Sequence, residues 1–278
     1  ALPTPRGTFA HTPHPWARGP PADVATPYSP ILVFMLPQSL CKDFRLPQPI
    51  PKQPTTMPIL AIDTSTQYLS LALHAHGETQ LYHAEAGNHQ SQHILPQIQA
   101  LLAQAQIQAA DLSAIVYAQG AGAFTGLRIG IGIAQGIATP YNTPLIGIPC
   151  QDAVAYQIPN HPCVLAATDA RMGEVFYAFF NTQTHQRLSD YQVAKPANIR
   201  QPENIPADAV IGIGNAYALA SPPPFAGTPQ MPTAADYLAL AQSKRYPATA
   251  PEHAELLYVR NKIALTAAEQ LARKQSPQ

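Results

Sequence analysis

Apolar and polar positions along this chain follow two regimes that meet near Met57. Beyond it, short apolar runs alternate with longer stretches of helical period. Residues 59–64 read as a buried strand. Residues 69–74 and 79–84 read as two more, joined around Gly77 by an Ala-His-Gly-Glu turn that predicts an antiparallel hairpin. Ile94, Leu95, Ile98, Leu101, Leu102 and Ala105 then recur at helical spacing, with Gln97, Gln104 and Gln108 largely off the stripe. This predicts an amphipathic helix over 91–105, opened by Ser91 as its cap and tolerating Pro96 near its start. A strand at 114–118, a glycine-rich loop, a helix at 124–138, a strand at 145–148 and a short helix at 151–156 follow. Three strands, helix, strand, helix, strand is the order of an RNase H-like lobe.

A second series begins near Cys163. Residues 164–168 and 175–180 read as strands around the turn Asp169-Ala170-Arg171-Met172-Gly173, with 187–193 as a third strand. Residues 210–214 read as a fourth, ending in Gly212-Ile213-Gly214-Asn215, and 234–244 and 265–274 as helices. Ile62-Asp63-Thr64 is echoed by Thr168-Asp169-Ala170, each after an apolar strand, as a duplicated fold requires. The expected architecture is α/β, with two RNase H-like lobes at 57–160 and 161–278 and mixed sheets flanked by helices.

Residues 1–56 show no such period and hold 13 of the 31 prolines. Proline fixes φ and removes a donor, so this segment is read as a disordered extension or an over-long start; a proline-rich docking arm is the rival reading. The stretch 31–36 is too short for the ~18 apolar residues of a membrane span and lacks the flanks of a signal peptide. The expected compartment is the cytoplasm.

Composition narrows the chemistry. The chain has 278 residues, 46% of them hydrophobic and 12% charged, with Lys+Arg and Asp+Glu both 16. A protein that neutralises many phosphates by itself shows a basic excess, and none is present. Cys41, Cys150 and Cys163 form no zinc-type spacing and read as idle thiols. No Walker loop or Gly-x-Ser-x-Gly elbow occurs.

The run from Gly120 to Gly130 (Gly-Ala-Gly-Ala-Phe-Thr-Gly-Leu-Arg-Ile-Gly) follows a strand and opens a helix. By physics alone it is either an anion cradle at a helix start or a tight turn. Gly126, Gly130, Gly132 and Gly136 each cost up to ~1 kcal/mol against alanine within that helix. They call for a closely packed partner, either the sheet of the same lobe or a second subunit. Asp63, Thr64, Gly120, Gly122, Thr125, Asp169 and Arg171 are the candidates for holding a nucleotide or phosphate. His89 and His93, four apart, are the candidate pair for zinc, but the residues between them are Gln90, Ser91 and Gln92, and no third ligand is in view.

Five segments carry a family resemblance. The strand Ile59-Leu60-Ala61-Ile62-Asp63-Thr64-Ser65-Thr66, the helix start His89-Gln90-Ser91-Gln92-His93-Ile94-Leu95-Pro96 and the Gly-Phe-Thr-Gly-Leu-Arg type of loop ending at Arg128 come first. Asp169-Ala170-Arg171-Met172-Gly173-Glu174-Val175-Phe176 and Leu257-Tyr258-Val259-Arg260 follow. In this order they resemble the TsaB family of bacterial tRNA threonylcarbamoyladenosine biosynthesis proteins, with Ala121 and Ala123 where the family has proline and serine. The resemblance implies a fold of the actin, sugar-kinase and Hsp70 class, related to the catalytic subunit TsaD. It also implies a non-catalytic role in threonylcarbamoyl transfer to the tRNA adenosine next to the anticodon, through pairing with TsaD, which the ATPase TsaE joins. The implied interface is His93, Ile94, Ile98, Leu101 and Leu102 of the first helix, with Phe124, Leu127, Gly130, Ile131 and Gln135 of the second. A homodimer in the absence of TsaD, indirect contact with tRNA, and ATP and magnesium only at the level of the complex complete the expectation.

Two alternatives stand beside it. An autonomous ATP-binding enzyme would use the candidates above, but Asp63-Thr64-Ser65-Thr66 lacks the glycine of a kinase-like first phosphate loop, as does Asp169-Ala170-Arg171. These aspartates read as turn-forming and capping residues, or as holders of a magnesium ion between the lobes. Arg171 reads as the partner of a phosphate or of a carboxylate across the cleft. A metallopeptidase is the weaker alternative, since TsaD's metal motif follows its glycine loop and no histidine pair follows this one. Arg260, Lys262, Arg273 and Lys274 are a solvated face or a tRNA contact.

Overall fold

The computed structural model describes residues 57–260. The proline-rich segment, Cys41, and the helix expected at 265–274 with Lys262, Arg273 and Lys274 lie outside the described residues.

Near-continuous apolar runs suit strands buried on both faces. β1 (Ile59–Asp63) is such a run and sits inside the first sheet. It pairs antiparallel with β2 (Tyr68–Ala75), and β2 pairs antiparallel with β3 (Glu78–Glu85). The hairpin closes through His76 and Gly77, with φ of 54° and 85°. Two positive φ values in a two-residue loop match the twist of the strands it joins, and glycine takes the second at no steric cost. α1 (Gln90–Gln104) follows. Its N-terminus has no side-chain cap, and Ser91 lies inside the helix rather than capping it; a preceding 3-10 turn at Gly87–His89 supplies the entry. β4 (Ala114–Gly120), α2 (Phe124–Ala138), β5 (Leu145–Pro149) and α3 (Cys150–Ala155) complete the series.

The second sheet repeats the plan. β6 (Val164–Arg171) pairs with β7 (Glu174–Asn181), and β7 pairs with both β8 (Gln186–Arg187) and β9 (Gln192–Ala194). The single strand expected at 187–193 is thus two short pieces, broken at 188–191, where Leu188 N–H donates to Phe179 O and the Ser189 hydroxyl accepts from Phe179 N–H. β10 (Ile211–Ile213) and β11 (Gly227–Thr228) run parallel to β6 on its other side. α4 (Ala234–Gln242) and β12 (Ala248–Thr249) end the described elements. The order is β12-β5-β4-β1-β2-β3 in one sheet and β11-β10-β6-β7-β8 in the other, with β9 beside β7. Strands β1 to β5 and their counterparts β6, β7, β8/β9, β10 and β11 therefore share one arrangement, the duplicated RNase H-like plan of the actin class.

One face of the first sheet, through Leu60, Ile62, Leu71 and Leu73, packs on Ile94, Ile98 and Leu101 of α1 and Ile131 and Ala134 of α2. The other, made smaller by Ala61, Ala72 and Ala118, receives Ala234, Tyr237, Leu238 and Ala241 of α4. That corrects a division at 160/161. α4 and β12 follow the second sheet in sequence, yet α4 seats on the first sheet and β12 pairs with β5. Thr233 and Asp236 form a capping box, and the buried Ser70 hydroxyl of β2 accepts the Ala234 N–H at 2.8 Å, fixing the α4 N-terminus on the first sheet. The second sheet packs Val164, Ala166 and Phe180 on Val154 and Ala155 of α3.

Candidate functional site

The glycine loop meets the end of β1. The Thr64 hydroxyl donates to Gly126 O at 2.8 Å, and Ala123 N–H donates to Ser65 O at 2.8 Å. A Cβ on Gly126 would stand 1.9 Å from Thr64 O, and one on Gly130 would stand 2.5 Å from Thr64 Oγ1. These two glycines serve the approach of one backbone to another within the lobe. Gly132 and Gly136 have nothing within 4 Å of a Cβ, so they contribute nothing to that seat. Of the two explanations for the helical glycines, the sheet of the same lobe therefore accounts for the first pair only.

Asp63 and Asp169 are equivalent in the two lobes and shape equivalent turns. Asp63 Oδ1 accepts Ser65 N–H at 2.8 Å, and Asp169 Oδ1 accepts Arg171 N–H at 2.7 Å. Such Asp side chains bonded two residues on are turn formers. Asp63 is buried, and burial pushes its carboxyl above the ordinary range while the hydrogen bonds from Ser65 pull it back without prevailing. Its neighbour Cys150 is equally buried, which pushes that thiol up to about 12. The Tyr237 hydroxyl is close enough to Asp63 and Cys150 for burial and their charges to oppose its ionisation. Asp169 instead pairs with Arg171 at 3.2 Å, so Arg171 meets a carboxylate of its own turn rather than a group across the cleft.

Backbone packs closely on the first of these turns, and the N–H groups of both have partners within the chain. The space beside the first is taken by Gly126 and Gly122, whose Cβ positions fall 1.9 Å and 2.9 Å from Thr64 O and from Ser65. The Ser65 and Arg171 N–H groups are spent on aspartates, and Asp169 N–H is spent on Asn215 Oδ1 at 2.8 Å. Among the described residues no group of three or more His, Cys, Asp or Glu side chains comes together; His89 and His93 are both exposed at the start of α1. None of the helices there is long and apolar enough to cross a membrane.

The expected interface divides in two. Ile94, Ile98, Leu101, Leu127 and Ile131 are buried in the core of the first lobe, and Gly130 is buried against Thr64, so none of the six presents itself to a partner. Helical spacing identifies a stripe without saying which side it faces, and here the stripe faces the sheet. Leu102 is half-buried, and Gln135 Nε2 is turned inward onto Pro251 O at 3.0 Å. His93 and Phe124 do face outward. Leu95, counted above with the core stripe, is 44% exposed, on the outer surface of α1 with Pro96, while Arg128, Gly132 and Gly136 occupy the outer surface of α2.

Two features were missed from sequence. Gln151, fully buried on α3, accepts Ala121 N–H at 3.2 Å and donates to Thr168 Oγ1 at 3.0 Å, joining the glycine loop of one lobe to β6 of the other. No spacing singled it out among the many glutamines. The second is a strap at 255–260 along the lobe junction. Leu257 N–H donates to Gln119 O at 2.9 Å and the Tyr117 hydroxyl to Glu255 O at 2.9 Å. Further on, the Tyr258 hydroxyl accepts from Arg128 at 2.8 Å, and Arg260 pairs with Glu174 of β7. The Tyr-x-Arg motif is the signal for it in the sequence, and Arg260 is held in an ion pair.

Known proteins place this geometry. The family described as tRNA N6-adenosine threonylcarbamoyltransferase, TsaD, matches residues 82–269. The tRNA threonylcarbamoyladenosine biosynthesis protein TsaB of Escherichia coli is 33% identical over 224 residues, 75% of this chain and 96% of that protein. TsaB of Haemophilus influenzae is 37% identical over 123 residues, 43% of this chain and 52% of that protein. Among solved structures, YeaZ from Pseudomonas aeruginosa superposes with a TM-score of 0.65 at 29% identity, covering 72% of this chain and 99% of that one. With E. coli TsaB matched over nearly its whole length, and with two duplicated lobes carrying the family's segments in order, the chain belongs to the TsaB family of tRNA threonylcarbamoyladenosine biosynthesis proteins.

Proposed function

We propose that this chain is a non-catalytic subunit for threonylcarbamoyl transfer to the tRNA adenosine next to the anticodon, and that it acts by pairing with the transferase subunit TsaD. The observation that carries the reading is the seat of Gly126 on Thr64, which fills with backbone the place where a nucleotide-holding member of this fold needs a phosphate cradle. The chemistry then resides in the partner, with ATP and magnesium held at the level of the complex and the ATPase TsaE joining it. The outward surfaces of α1 and α2, with Leu95, Phe124 and the open positions Gly132 and Gly136, form the pairing face. Glycines without a Cβ contact on an exposed helix face cost helix stability and repay it when a second helix comes close. The same face supports a homodimer when TsaD is absent. A net charge of zero favours indirect contact with tRNA, and the cytoplasm is the proposed compartment.

The test is co-purification of the full chain with TsaD of the same organism, beside a Gly132→Leu/Gly136→Leu variant whose circular dichroism is unchanged. A stable native complex that the variant loses supports the reading. A native chain that ignores TsaD but binds magnesium-ATP tightly alone overturns it in favour of an autonomous enzyme.

A further inference from the structure

Three motifs that the pairing face does not explain converge at the lobe junction. Gly-Leu-Arg ends in Arg128 on α2, Tyr-x-Arg supplies Tyr258 and Arg260 on the strap, and Asp-Ala-Arg-x-x-Glu supplies Met172 and Glu174 at the β6–β7 turn. The Arg128 guanidinium lies over the Phe124 ring, 3.3 Å from its centroid, and donates to Phe124 O at 3.3 Å and to the Tyr258 hydroxyl at 2.8 Å. Arg260 pairs with Glu174 and lies 3.9 Å from Met172 Sδ. Phe124, Tyr258 and Met172 are nevertheless 49%, 53% and 69% exposed. One exposed apolar side chain is ordinary; two aromatics around Arg128 and a methionine beside Arg260, on three segments tied to one another, is the composition of an interface centre.

Charge points to the occupant. Arg171 and Arg260 are neutralised by Asp169 and Glu174, whereas Arg128 has no carboxylate partner among the described residues. The patch thus presents one uncompensated positive charge framed by aromatic rings. Residues 261–278 carry Lys262, Arg273 and Lys274 against Glu269, the wrong sign to complete it. The stacking and hydrogen bonds already hold the Arg128 side chain, so it loses little freedom on meeting a carboxylate.

We infer that Phe124, Arg128, Tyr258 and Met172 form a second docking surface, built jointly by the two lobes, for a carboxylate-bearing apolar segment of TsaD. The inference rests on the pairing proposed above and is continuous with it at Phe124. It extends the contact from α1 and α2 to the strap and the second lobe.

The experiment measures the Kd of the full chain for purified TsaD at low and high salt, with Arg128→Gln, Met172→Glu and Met172→Lys beside the native protein. Met172 is on an exposed turn but beside Arg260, so thermal unfolding is run alongside, and an unchanged midpoint shows that a variant reports on docking rather than on the strap. Arg128→Gln is expected to weaken binding at least tenfold and to flatten its salt dependence. Met172→Glu should weaken it about tenfold, as like charges meet, and Met172→Lys should leave it native or tighter. If native protein binds and all three variants match it, this surface is overturned while pairing through α1 and α2 stands. Equal losses for Met172→Glu and Met172→Lys overturn the carboxylate-bearing occupant. A native chain that does not bind TsaD overturns the pairing reading and this surface with it. Binding of an anticodon stem-loop RNA to the chain alone, abolished by Arg128→Gln, overturns it in favour of an RNA surface.

Discussion

Gly126→Ala and Gly136→Ala are the same chemical change in one helix, and the structure predicts opposite signs for them. At position 136 the new methyl group meets nothing within 4 Å, so the only consequence is the higher helix propensity of alanine, a gain of about 1 kcal/mol. At position 126 the same gain is available, but the Cβ would stand 1.9 Å from Thr64 O and 3.1 Å from Thr64 C, inside the 3.0 Å limit that Cβ atoms respect in the first case. The obstacle is backbone at the end of a buried strand, so no rotamer relieves it. Moving the helix start away forfeits the buried Thr64 to Gly126 hydrogen bond, worth about 1 kcal/mol, and adds overpacking strain of about 1–3 kcal/mol. Net of propensity the loss is about 1–3 kcal/mol, and the two variants differ by about 2–4 kcal/mol. Urea denaturation of the full chain, followed by far-ultraviolet circular dichroism, measures both. A Gly126→Ala midpoint within experimental error of the Gly136→Ala midpoint would refute the close seating of the loop on β1, and with it the argument that this seat replaces a phosphate cradle.

Other variants test the junction and the buried carboxyl. Asp63→Asn should raise stability at pH 7 because the amide keeps an oxygen for Ser65 N–H and carries no charge to bury. The folded-state pKa is raised, so the penalty of burial is absent below the ordinary carboxyl value near 3.8 and sets in as pH rises; the advantage of the variant should shrink as denaturation is repeated at falling pH. Gln151→Leu leaves Ala121 N–H and Thr168 Oγ1 without their buried partner and should cost about 2–4 kcal/mol in thermal or urea unfolding. Glu174→Gln and Arg260→Gln should each destabilise modestly, and a double-mutant cycle should show a coupling of about 1 kcal/mol, since both side chains are partly exposed; zero coupling would remove the ion pair from the strap.

What was legible in the sequence is what local periodicity and turn chemistry decide. The apolar run of β1, the alternation through His76 and Gly77, and the stripe of Ile94, Ile98 and Leu101 mark their elements because burial and backbone sterics act over a few residues. The echo of Asp63 in Asp169 was legible for the same reason, and both aspartates form the turns that their type predicts. Direction and destination were not legible. Spacing placed Leu95 on the same stripe as Ile94, although the sheet buries Ile94 and leaves Leu95 outside, and the interface that the resemblance implied took in Ile94 as well. The helical pattern after Thr233 gave α4 its length to within two residues, but not its return to the first sheet, which depends on a Ser70 hydroxyl 164 positions away from Ala234. Gln151 carried no pattern at all, since one buried side chain bridging two lobes leaves no periodic trace.

The chain's own side chains fasten the junction between the lobes. In a two-lobed fold that holds a nucleotide, the ligand is a large part of what joins the lobes. Here the chain supplies those contacts: Gln151 spans from Ala121 to Thr168, and Asp152 accepts the Tyr191 and Tyr246 hydroxyls at 2.5 Å and 2.8 Å from the two sides. The strap carries Tyr258 to Arg128 and Arg260 to Glu174. Lobes fastened in this way have little conformational freedom to lose if a second protein docks across them. A partner that reads α2 and the strap together meets one pre-organised face, because the residue that orders the outer end of α2, Arg128, is also the residue that holds the strap. In the function proposed above, the duplicated fold is kept for its shape, and the Ser65 and Arg171 N–H groups that a phosphate cradle would use are spent on the aspartates of their own turns.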